Sequence, residues 1–183
     1  MNFPNTWEEY TSQYLEMTRN LIQNNQINKD LIIPTMYIAR HYIELRTKMI
    51  AKIAKVVNGG NAQKVQGHDL KTLWNESSGL IIQMLSMNVL YESAVQEQLR
   101  HIKKFIENRT DWDNNSMALR YPYNLQGIAY NLTDDVESFI VDWKNCMEAL
   151  EYIYNQIVSD IRNSKIHLDN NQITNLHNNG III

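Results

Sequence analysis

Apolar residues recur along this chain at spacings of three and four, the period of one face of a helix. Trp7, Tyr10, Tyr14, Met17 and Leu21 follow Asn5-Thr6, a favourable N-cap pair, and predict a first helix that ends at Asn24-Asn25. A second opens near Pro34, whose missing N–H costs nothing in a first turn. It carries Ile38, Tyr42, Leu45, Met49, Ile53 and Val56 and stops at Asn58-Gly59-Gly60-Asn61. In GHDLKTLW, Asp69 or His68 caps a short third helix with Leu70, Leu73 and Trp74. A fourth is expected over residues 87–108, with Val95, Leu99, Ile102 and Ile106 inward. A connection of about twenty residues containing RYPYNLQG follows, longer than packing requires. Asp134 with Glu137 resembles a capping box, and Val136, Ile140, Trp143, Met147, Leu150, Tyr154, Ile157 and Ile161 then keep helical period. No alternating run suggests a strand. The prediction is an all-α fold, a single bundle of about five helices over residues 1–167. Residues 168–183 are asparagine-rich and aperiodic and read as a C-terminal tail, with Ile181-Ile182-Ile183 at its end.

Composition narrows the function more than the fold. A length of 183 residues, 44% of them hydrophobic and 20% charged, fits one domain with a real core. The formal net charge of −3 argues against sequence-blind binding to nucleic acid. One cysteine, Cys146, lies inside an apolar helical pattern and reads as a small packed residue. MNFPNTWEEY has no basic segment followed by an apolar run, and no stretch is long and apolar enough to span a bilayer. A cytoplasmic location without membrane contact is therefore expected. Gly59-Gly60 lacks the Lys-Ser or Lys-Thr of a phosphate loop, and no Cys/His spacing suggests zinc, so neither metal nor cofactor is anticipated.

One turn of the second helix breaks the apolar pattern. In RHYIEL, Glu44 stands four residues from Arg40 and three from His41, within reach of either on a helix. Two readings stay open. One is an ion-pair network joining the second helix to the loop carrying His68 and Asp69. The other is a polar pocket in which Arg40 binds a phosphate and His41 or His68 moves a proton.

Arg-His-Tyr-Ile-Glu-Leu on a second helix, Gly-His-Asp-Leu-Lys-Thr-Leu-Trp opening a third, and Arg-Tyr-Pro then Gly before a long last helix form an ordered set. In that order they resemble the HEPN superfamily, helical proteins of prokaryotic toxin–antitoxin and phage-defence systems, over about residues 6–166. The resemblance implies four or five helices, frequent homodimers and, in many members, a metal-independent endoribonuclease. Its signature is an arginine followed after four to six residues by a histidine, with two protomers contributing across an interface. Arg162-Asn163-Ser164-Lys165-Ile166-His167 fits that pattern. The family motif, however, lies at the junction into the last long helix. Arg120 stands there, but residues 125–127 are Leu, Gln and Gly, with no histidine. Residues five apart on a continuous helix also point about 140° away from each other, so Arg162 and His167 converge only if the helix ends between them or two chains share the site. The resemblance therefore implies a module that binds RNA, a nucleotide or a cognate protein without catalysis. The alternative is a ribonuclease using Arg162 and His167 across a homodimer.

Overall fold

The structure, a computed structural model, describes residues 6–23, 26–85, 92–109 and 136–183. The fold is all-α. The helices among the described residues are α1 (Trp7–Leu21), α2 (Ile32–Val57), α3 (Leu70–Leu85), α4 (Glu92–Arg109), α5 (Val136–Arg162) and α6 (Asn170–Asn178). A two-residue antiparallel ladder, Ile22–Gln23 against Gln26–Ile27, is a minor addition between α1 and α2.

Local signals set several boundaries. Thr6 Oγ1 accepts the amide of Glu9 and starts α1. A single 3₁₀ turn, Lys29–Leu31, leads directly into α2, so Pro34 falls in the first turn but not at its first position. At the other end Asn58 folds its side-chain amide back onto the Ala54 carbonyl, 2.7 Å away. The third helix is not short. Buried Leu70, Leu73, Trp74, Ser77, Ile81 and Met84 carry the period straight through Gly79. The expected fourth-helix residues 87–91, the RYPYNLQG connection with Arg120, and the Asp134 end of the capping box lie outside the described residues.

The helix α2 is the axis of the bundle, in contact with α1, α3, α5 and α6, while α4 packs along α5. From Tyr42 to Ala54 every residue of α2 is buried. A helix surrounded in this way is ordinarily apolar all round. This one also buries Arg40, Glu44, Arg46, Lys48 and Lys52, so neighbouring elements must supply partners. Trp143 of α5 donates its indole N–H to the Ala39 carbonyl, 3.2 Å away. Cys146 is wholly buried, and burial together with the nearby Asp142 charge pushes its thiol pKa well up, consistent with packing and not reactivity.

The segment after His167, expected as an aperiodic tail, contains α6. Asp169 and Gln172 form a capping box, and Leu176 and Ile181 are buried in the common core. Within α6 the apolar signal is only Ile173 and Leu176 among polar residues, too sparse for a helix-period reading. Tertiary packing supplies the rest.

Candidate functional site

Two elements, α2 and the loop before α3, bring Arg40 and Glu44 together with their partners. Gly67, at φ +94, turns the chain so that the His68-Asp69 loop comes back against α2. Glu44, with no solvent exposure, accepts from Arg40 Nη1 at 3.0 Å and Lys48 Nζ at 2.7 Å. The His68 Nδ1 lies 2.8 Å from the same carboxylate and meets it as an N–H donor. Arg40 also donates through Nη2 to the His68 carbonyl, 3.0 Å away. Burial alone would raise the Glu44 pKa. The Lys48 hydrogen bond and charge, the Arg40 charge and the His68 hydrogen bond outweigh it and hold the carboxyl below its usual value.

Asp69 stands beside this network with a different task. Its carboxylate accepts the amides of Lys71 and Thr72 and the Thr72 hydroxyl, which caps α3. His41 points toward α1: its ring stacks on Tyr37, 5.8 Å between centroids, and meets Tyr14 edge-on at 4.7 Å. Adjacent residues on a helix project about 100° apart, so Arg40 and His41 serve two different faces.

Two parts of this region lie beyond the RHYIEL and GHDL motifs. The Arg40–Glu44 spacing continues to Lys48 and Lys52, an i, i+4 signal legible in RHYIELRTKMIAK. Lys52 places its ammonium 4.6 Å from the centre of the Trp7 ring. Burial, and then the Lys48 charge, lower the pKa of Lys52. The second part is Arg46, wholly buried on another face of α2. Its guanidinium donates to both carboxylate oxygens of Glu8 on α1 and, at 2.7 Å, to Glu151 on α5, and it lies over the Tyr154 ring. Tyr42 donates its hydroxyl to the same Glu151 oxygen. These partners lie far away in sequence, so no local pattern announces them.

Arg162 and His167 are placed apart from all of this. The helix α5 ends at Arg162, Ser164 takes φ +56, and the amides of Lys165 and Ile166 both return to the Asp160 carbonyl. The helix therefore does end between the two residues. Both are exposed, and no hydrogen bond or ion pair joins them among the described residues. Arg120 lies outside the described residues. Among those described there is no group of three or more His, Cys, Asp or Glu able to hold a metal, and no helix long and apolar enough to cross a membrane.

A groove of about 430 Å³ lies between α1 and α2, and its mainly apolar lining includes Tyr10, Tyr14, Met17, Tyr37 and Ile38 beside the polar Gln13. Met17 is 51% exposed at its edge. Compared with models of protein families, with curated proteins and with solved structures, the chain finds no match.

Proposed function

We propose that this chain is a HEPN-like helical module of a defence or toxin–antitoxin system that binds its partner without cleaving RNA. The observation that carries the reading is the fate of the RHYIEL charges. Glu44 is wholly buried and takes up hydrogen bonds from Arg40, Lys48 and His68, so these groups are engaged in holding α2 to the α3 loop. His41 is packed among tyrosines. The groove lined by Tyr10, Met17 and Tyr37 offers an apolar, aromatic surface, and the HEPN resemblance favours a second copy of the chain as its occupant.

The test has two arms. Labelled RNA incubated with the protein in excess chelator stays intact, and light scattering gives twice the 21.5 kDa of one chain, returning to a single mass in Met17→Glu. Chelator-resistant cleavage overturns the non-catalytic reading, and a single-chain mass at micromolar concentration overturns the dimer.

A second reading has one specific observation in its favour. Because α5 stops at Arg162 and the chain turns at Ser164, His167 no longer follows the helical phase that would carry it away from Arg162. A ribonuclease built on this pair leaves 2′,3′-cyclic phosphates and loses activity in His167→Ala with the fold intact.

A further inference from the structure

The turn that ends α5 also shapes a cavity. Ser164 in the left-handed region and the return of the Lys165 and Ile166 amides to Asp160 send Ile166 inward, while His167 stays at the surface. The Asp169 capping box then starts α6, and the two segments line a half-open pocket of about 320 Å³. Its apolar walls include Ile161, Leu168, Ile173 and Leu176. Its polar lining is Ser164, His167 and His177.

We propose that this pocket between the end of α5 and α6 binds a small amphipathic anion, an apolar chain carrying one carboxylate head. The volume lies at the lower end of the range for small-molecule sites, about 300–1,000 Å³, and mostly apolar walls with a few convergent polar groups are the usual composition of such sites. The sign of the head group follows from the lining. No aspartate or glutamate side chain contributes to it, and the imidazoles are its only ionisable side chains. Neither imidazole makes a hydrogen bond or ion pair among the described residues, whereas Asp160 is met by Lys165 at 3.5 Å and Asp169 by the Gln172 amide at 2.8 Å. An imidazole offers an N–H whether neutral or protonated, and in the protonated state it adds a charge that a carboxylate matches. An ammonium head meets no opposite charge among the lining side chains, only neutral acceptors on Ser164 and the imidazoles. This site is separate from the α1/α2 groove and does not depend on whether the chain cleaves RNA.

The probe is decanoate, titrated below its micelle concentration into the full chain, with the imidazole resonances of all 5 histidines followed by NMR. Saturable shifts at His167 and His177, with His41, His68 and His101 unmoved, are expected. Decylamine and decanol should bind at least tenfold more weakly. Ile173→Trp, which fills the cavity, should weaken decanoate at least tenfold. Should that variant lose α6, His167→Ala with His177→Ala serves instead and removes the preference for decanoate over decanol. Shifts spread over all the histidines, no shift at millimolar decanoate, or equal binding of decanol overturns the proposal.

Discussion

The guanidinium of Arg46 lies over the Tyr154 ring, 4.2 Å from its centre, while its N–H groups hold Glu8 on one side and Glu151 on the other. One side chain of α2 is thereby bonded to α1 and α5 at once, at the point where three helices meet.

Arg46→Met should cost about 2–4 kcal/mol in urea unfolding. Loss of a buried ion-pair partner commonly costs about 3–5 kcal/mol, but Glu8 and Glu151 keep some exposure and can be rehydrated. Arg46→Lys retains the charge without the planar fork, so it should recover less than half of the loss. A lysine variant as stable as the wild type would show that charge alone matters and that the geometry around Tyr154 is incidental.

The second network makes a sharper demand, since Glu44 has no solvent exposure. Glu44→Ala leaves Arg40 and Lys48 as buried cations sharing one lost partner and should cost roughly 3–5 kcal/mol. Arg40→Met with Glu44→Leu should cost less than the sum of the single changes, because each single change loses the Arg40–Glu44 bond and the pair of changes loses it only once. Strict additivity in chemical denaturation would mean the two residues do not act as a unit.

Acid should reveal the same carboxyls. At Glu8, burial opposes ionisation but the Arg46 hydrogen bond and charge outweigh it; at Glu44, Lys48, Arg40 and His68 do the same, so both folded-state pKa values are lowered. As pH falls the unfolded chain takes up protons first. The stability these groups contribute is therefore complete above the ordinary glutamate value, about 4.3, and is lost as pH drops from there through the folded values. Urea midpoints measured from pH 7 to pH 3 should fall below that point. Glu44→Gln, already weaker at pH 7, should lose less over the interval; an identical loss would remove Glu44 from the account.

How far the sequence discloses this arrangement depends on the distance over which partners are found. Glu44 with Arg40 is a local pair on one helix face, and Asp69 as a cap needs only its next few residues, so both are legible in RHYIEL and GHDL. The junction of Glu44 with His68 is foreshadowed by the glycine-containing connection before GHDL, and Lys48 joins it from the next turn of α2. The contacts of the His41 ring with Tyr14 and Tyr37 are not legible in RHYIEL, because proximity in sequence does not decide which way adjacent side chains of a helix face. Arg46 is bonded to residues on α1 and α5, and α6 exists because a helix of low intrinsic propensity docks on a prepared surface. Neither leaves a periodic trace.

That docking gives the last prediction. Gln172 donates its side-chain amide to the Val56 carbonyl, 2.9 Å away, so α6 satisfies an acceptor at the end of α2. Beyond α6, Trp7 donates its backbone amide to the Gly180 carbonyl at 3.1 Å, which ties this segment to the start of α1. Gly180 has φ +72, and a Cβ there would stand 2.8 Å from Trp7 Cδ1. Alanine at this position meets both a disfavoured backbone conformation and a steric clash, so Gly180→Ala should destabilise the docked state by about 1–3 kcal/mol. The effect should be local first. Hydrogen exchange at the α6 amides should accelerate roughly in proportion to that free energy, while α4 amides, remote from Trp7, change only with the global stability. Asp169→Ala, which removes the cap without touching Trp7, should produce the same pattern at about 1 kcal/mol. Exchange in α6 unchanged by both substitutions would mean that neither the cap nor the Gly180–Trp7 contact holds this helix in place.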